Sequence, residues 1–123
     1  MEGMYTILNI EDNPDNRLLI RRLLESRGYL VLEAENAAQA LEFVSVQRPD
    51  LILIDINMPD MDGYILTNIL RSKPALNKVP IIAVTANVMK GDRERTLQAG
   101  CDHYIEKPID VDSFLDQVAQ YLR

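Results

Sequence analysis

Five short apolar runs, at residues 5–10, 30–34, 51–55, 81–85 and 103–106, alternate with five amphipathic stretches at 15–27, 37–47, 64–73, 90–99 and 111–122. The runs do not alternate apolar with polar residues, so each needs burial on both faces, as the central strands of a parallel sheet do. A helix between successive strands supplies the crossover that parallel pairing requires and covers the sheet on both sides. The expected fold is therefore α/β, a doubly wound five-stranded parallel sheet of (βα)5 architecture. Gly28 and Gly100 stand where the first and fourth helices should end, as C-terminal caps. In the last helix Val111, Phe114, Leu115, Val118 and Leu122 recur with the 3.6-residue period and make one apolar stripe. The fourth reads "KGDRERTLQAG", with little besides Leu97 and Ala99 to bury, and loose packing is expected there.

The five units consume the 123 residues, which read as a single domain over 1–123. No apolar run approaches the roughly 20 residues of a membrane span, and "MEGMYTILNI" lacks the basic and apolar segments of a secretory signal. The lone Cys101 cannot form an internal disulfide, which fits a reducing cytoplasm. A net charge of −6 with 13 Lys and Arg disfavours nucleic acid and anionic lipid, and leaves proteins or cations as the expected partners.

Right-handed crossovers make all five strands run the same way, so their C-terminal ends line one edge. Ligands of open α/β sheets bind beyond that edge, where the strand order reverses. In the flavodoxin-like order 2-1-3-4-5 the first and third strands are neighbours. Glu11 and Asp12 after the first strand then meet Asp55 at the end of the third. Thr85 closes the fourth strand, and Lys107 with Pro108 follows the fifth. Asp55 alone would serve equally well as a turn or cap residue; polar residues at three other strand ends decide against that. Asp62, before Gly63, reads instead as the cap of the third helix. Three adjacent carboxylates cannot all stay ionised without a positive partner. Mg2+, a hard cation that takes carboxylate and carbonyl oxygens, meets that need, with the backbone carbonyl of Asn57 as a further ligand. Carboxylate, Mg2+, lysine and hydroxyl together are the parts for phosphoryl transfer onto an aspartate.

The stretches "NIEDN", "LILIDINMPDMDG", "IIAVTAN" and "HYIEKP", in that order from residue 5 to residue 122, resemble the receiver domain of two-component response regulators, of the single-domain chemotaxis-regulator type. The resemblance implies that Asp55 is the phosphoacceptor. It makes Glu11 and Asp12 the acidic pair, with Asp12, Asp55 and Asn57 around Mg2+, and Thr85 and Lys107 the residues that contact the phosphoryl group. It implies that Tyr104 is the switch aromatic and that the Lys107–Pro108 bond is cis. The phosphoryl donor is then a histidine kinase or a histidine phosphotransfer protein. The expected output is a change in the face formed by the fourth helix, fifth strand and fifth helix, with Thr85 drawn inward and Tyr104 leaving a solvent-facing rotamer. In the first helix Leu19, Ile20, Leu23 and Leu24 share an arc of roughly 140° facing the sheet, and Leu18 points away as a candidate docking contact.

Two features depart from the commonest receiver pattern. The acidic pair is Glu-Asp rather than Asp-Asp. Asn9 occupies a central strand position, where it needs a hydrogen-bond partner or costs about 1–3 kcal/mol. Rival readings fail on single letters. An EF-hand beginning at Asp55 needs glycine and glutamate where Asp60 and Leu66 stand. No glycine-rich phosphate loop follows the first strand. A phosphatase of the haloacid dehalogenase type needs a second aspartate two residues after the nucleophile, and Asn57 cannot act as its acid or base. A receiver cut from a longer hybrid kinase is the alternative to a stand-alone regulator or relay intermediate.

Overall fold

Strands apolar on both faces require two helical layers, and a computed structural model of the chain, describing residues 4–58, 61–86 and 92–122, has both. Strands β1 (Thr6–Ile10), β2 (Leu30–Ala34) and β3 (Leu51–Ile54) are followed by two short strands, β4 (Asn57–Met58) and β5 (Met61–Asp62), and then by β6 (Ile81–Thr85) and β7 (His103–Glu106). Helices α1 (Pro14–Glu25), α2 (Ala37–Val46), α3 (Gly63–Ser72), α4 (Asp92–Gln98) and α5 (Val111–Gln120) separate the long strands. The main sheet is parallel in the order β2-β1-β3-β6-β7, which is the 2-1-3-4-5 winding once the two short strands are set aside.

Alternate residues of each strand feed two cores. Leu8, Ile10, Ile52, Ile54 and Ala83 pack with Ala40 of α2 and Leu66 and Leu70 of α3. Ile7, Leu51, Leu53, Ile82 and Val84 pack on the opposite face with Ile20 and Leu24 of α1 and Phe114 and Val118 of α5. Gly28 and Gly100 have φ of +82° and +120°, the left-handed conformation in which a glycine ends a helix without strain.

Three local expectations change, and one question raised by the sequence is answered. Helix α1 begins at Pro14, whose missing N–H costs nothing in a first turn, and Asn13 caps it by accepting from the N–H groups of Asp15 and Asn16. Leu19 does not face the sheet: it is 43% exposed, beside Leu18 at 38%. It lies at the extreme of the apolar arc, and a helix on a sheet buries a stripe of only about 100°. In α4 the buried anchor is Thr96, whereas Leu97 is 40% exposed; Lys90 and Gly91 of the expected helix lie outside the described residues. Asn9 is buried in the sheet, and its Nδ2 has no hydrogen-bond partner among the described residues.

The stretch after β3, read from sequence as a loop, is a small antiparallel ribbon that pairs Asn57 with Asp62 and Met58 with Met61; Asp60 lies outside the described residues. Asp62 then caps α3 by accepting from the Tyr64 N–H. The Gly63 N–H donates to the Ile56 carbonyl at 3.1 Å. A Cβ on Gly63 would lie 2.5 Å from the Ile56 Cα, a backbone atom that cannot swing aside. Gly63→Ala is therefore expected to lower stability by about 1–3 kcal/mol, read from the urea midpoint. A midpoint equal to that of the wild type would show that the ribbon does not depend on this close approach.

Candidate functional site

Strand direction places the polar residues. β1 and β3 lie side by side and end together, the Asp55 N–H donating to the Ile10 carbonyl at 3.0 Å. One carboxylate oxygen from each of Glu11, Asp12 and Asp55 lies within 4.8 Å of the other two. Glu11 and Asp55 are buried and Asp12 is half-buried. On the far side β7 leads into the cis Lys107–Pro108 bond. The Lys107 Nζ reaches back to the Glu11 Oε1 at 2.8 Å and the Asp55 Oδ2 at 3.4 Å. The Asp55 Oδ1 accepts from the Asn57 N–H at 3.0 Å. Asn57 turns its side-chain amide to the buried Thr85 hydroxyl, donating at 2.8 Å.

The structure thus gathers Glu11, Asp12, Asp55, Asn57, Thr85 and Lys107 around one pocket. Tyr104 stands apart, half-buried and packed against the α2–α3 core rather than standing out in solvent. Leu18 is also outside the cluster, on the outer face of α1. One neighbour was not read from the sequence. Arg17, one turn into α1, donates from Nη1 to the backbone carbonyls of Glu11 and Asp12, both at 3.1 Å. Helical side chains lean back over the preceding turn, so a long cation four residues past the Asn13 cap was the available signal.

The electrostatics is asymmetric. Burial pushes the Glu11 carboxyl above its ordinary 4.5 and the charge of Asp55 adds to that, while the bonds from Lys107 and from the Asn13 N–H oppose it. Burial pulls the Lys107 ammonium down, but the bond to Glu11 and the charge of Asp55 outweigh it and hold it above the usual lysine value. The donors are hard oxygens without a thiolate or imidazole among them, a set that fits Mg2+. Both Glu11 oxygens are already engaged, by Lys107 and by the Asn13 N–H at 3.2 Å. The Asp55 oxygens are engaged as well, by the Asn57 N–H and, at a longer 3.4 Å, by Lys107, which leaves the half-buried Asp12 as the carboxylate most open to a cation.

Residues 7–119 match the family described as the response regulator receiver domain. The chain is 43% identical over 117 residues to the polar-differentiation response regulator DivK of Brucella anthropi, covering 95% of each. Among solved structures it is similar to the receiver domain of a sensor histidine kinase from Pseudomonas aeruginosa, at 38% identity, a TM-score of 0.89 and 98% coverage of both chains. That structure has a magnesium ion coordinated in its active-site cleft. The signal receiver domain of a histidine kinase from Syntrophus aciditrophicus is 36% identical, with a TM-score of 0.88 over 96% of this chain and 89% of that one.

The Glu11 shift has a thermodynamic consequence. The folded state holds this proton more tightly than the unfolded chain, which releases it near 4.5. The stability contributed at residue 11 is therefore greatest below that pH and falls as the pH rises through the raised value. Urea midpoints of the wild type relative to Glu11→Gln are expected to decline over that window without added metal. A difference independent of pH would contradict the burial argument.

Proposed function

The chain belongs to the response regulator receiver domain family, and on that premise we propose that it takes a phosphoryl group from a phosphohistidine onto Asp55 and changes its protein-binding face in response. The observation that carries this reading is a buried carboxylate at the end of β3 with an ammonium at 3.4 Å and two further carboxylates alongside. An Asp55 oxygen bonds to phosphorus as the phosphorus–nitrogen bond breaks; the electron pair stays with the departing imidazole, which takes up a proton. Lys107 offsets the growing negative charge on the transferred group, and Thr85 donates to one of its oxygens. Asp12, Asp55 and the Asn57 carbonyl would hold Mg2+, with Glu11 reaching it through water. The ion, when bound, supplies further neutralisation of the phosphoryl oxygens.

A receiver is not an enzyme in the usual sense; here it catalyses its own phosphorylation and, with water as acceptor, its own dephosphorylation. The expected donor is a histidine kinase or a histidine phosphotransfer protein in the cytoplasm, and no described helix is long and apolar enough to cross a membrane. Leu18, exposed on α1 beside the site, is the proposed docking contact, widened by the exposed Leu19. A role as regulator or relay intermediate is supported by the similarity to DivK, a relative named a response regulator. The similarity to two histidine kinase receivers supports the alternative of a domain within a hybrid kinase.

Asp55→Asn is expected to abolish labelling by a phosphodonor, and chelation of Mg2+ to slow it strongly in the wild type, while Asp62→Asn keeps it. Label retained on the Asp55 variant would sink the proposal. The switch is read separately. A phosphoryl group on Asp55 accepts from the Thr85 hydroxyl, whose oxygen itself accepts from the Asn57 amide, and a hydrogen bond to a charged acceptor is worth about 1.5–3 kcal/mol, which shifts a two-state balance by roughly 10- to 150-fold. Thr85→Ala and Tyr104→Ala should therefore still be labelled but lose the dependence of partner binding on phosphorylation. If both retain it, the output does not run through α4, β7 and α5.

A further inference from the structure

We infer that Arg17 is a positioning residue for the acidic pair, holding the backbone of Glu11 and Asp12 in the turn that aims their carboxylates at the cation site. This rests on the reading of that cluster as a Mg2+ site. Two successive carbonyls, of Glu11 and Asp12, both accept from one nitrogen, the Arg17 Nη1, at 3.1 Å. Carbonyls of neighbouring residues in an extended strand point in opposite directions, so their convergence on one atom requires the chain to bend between them. The guanidinium spans the inside of that bend. Its side chain is only 17% exposed.

The alternatives to a positioning role are weak. Among the described residues the nearest carboxylate to the guanidinium is on Glu35, 3.9 Å away and 59% exposed, a surface pair of the kind that contributes little. The α1 cap does not need it, because Asn13 already accepts from Asp15 and Asn16. What Arg17 alone supplies is the tie between the first turn of α1 and the main chain that carries two of the three carboxylates. Asp55 is fixed independently by its strand bond to Ile10. Glu11 keeps its N–H bond to Ala34 and its carboxylate bonds to Lys107 and the Asn13 N–H, so without Arg17 it is the turn beyond the Glu11 carbonyl, carrying Asp12, that loses its tie and drifts relative to Asp55.

The sign of the effect separates positioning from charge. Removing a cation beside a cation site strengthens Mg2+ binding by Coulomb's law, whereas loosening an outer-shell support weakens it, typically about 10–100-fold. The test is calorimetric titration of MgCl2 into the unphosphorylated protein at fixed ionic strength, with amide NMR spectra to verify the fold. Arg17→Met keeps the aliphatic stem and removes the donors; a Kd raised about tenfold or more is expected, with metal-free amide shifts moving at Glu11, Asp12 and Asn13. Arg17→Lys keeps the charge but not the planar donor geometry, is expected to weaken binding likewise, and carries the test if Arg17→Met does not fold. Arg21→Ala, which removes only the bond to Glu33, should leave Kd unchanged. A folded Arg17 variant that binds Mg2+ as tightly as the wild type, or more tightly, overturns the role assigned to Arg17. A wild type that binds no Mg2+ overturns the underlying site as well.

Discussion

Glu11 and Asp55 are buried at the end of adjacent parallel strands, and both face the same ammonium. Two ionised carboxylates at such a separation in a desolvated pocket repel strongly, and a third from Asp12 makes the arrangement untenable without positive charge. Lys107 supplies that charge from the opposite edge of the pocket, approaching Glu11 more closely than Asp55. The same imbalance suits the pocket to a divalent cation. The site is organised around a deficit of positive charge that a cation would relieve.

The scaffold keeps that deficit in place. Three strand ends fix Asp55, Glu11 and Lys107 through main-chain bonds: Asp55 N–H to Ile10, Glu11 N–H to Ala34 and Lys107 N–H to Thr85. The β4–β5 ribbon holds Asn57 over the pocket, and the close approach of Gly63 to Ile56 anchors the ribbon to α3. Opposite, α4 buries Thr96 while leaving Leu97 exposed, so the element expected to answer phosphorylation is held by less apolar surface than α3 or α5. Rigidity at the chemistry and a lightly packed helix beside it are what a switch needs.

Much of this was legible in the sequence because it depends on period and position. Apolar runs of four to six letters gave all five long strands, and parallel strands bring their ends together whatever the intervening helices contain. Asp55, Glu11, Asp12, Thr85 and Lys107 could therefore be placed on one edge; that they meet depends on the 2-1-3-4-5 order, which the apolar runs do not dictate. What escaped was set by tertiary geometry. The ribbon after β3 is only two residues per strand, too short for a period to register. Leu19 fell at the margin of an arc whose usable width is decided by what α1 packs against. The role of Arg17 lies in two backbone carbonyls, which carry no letter of their own. Asn9 was singled out as needing a partner, and the described residues provide none for its Nδ2.

The most direct test is chemical mapping of the modified residue. An aspartyl phosphate is an acyl phosphate, and borohydride reduces it to the alcohol, converting the phosphorylated aspartate into homoserine. After phosphotransfer from a phosphohistidine protein, reduction, digestion and mass spectrometry should find homoserine at position 55 and at no other aspartate. Homoserine at Asp12, Asp62 or any position but 55, with Asp55 intact, would contradict the account at its centre.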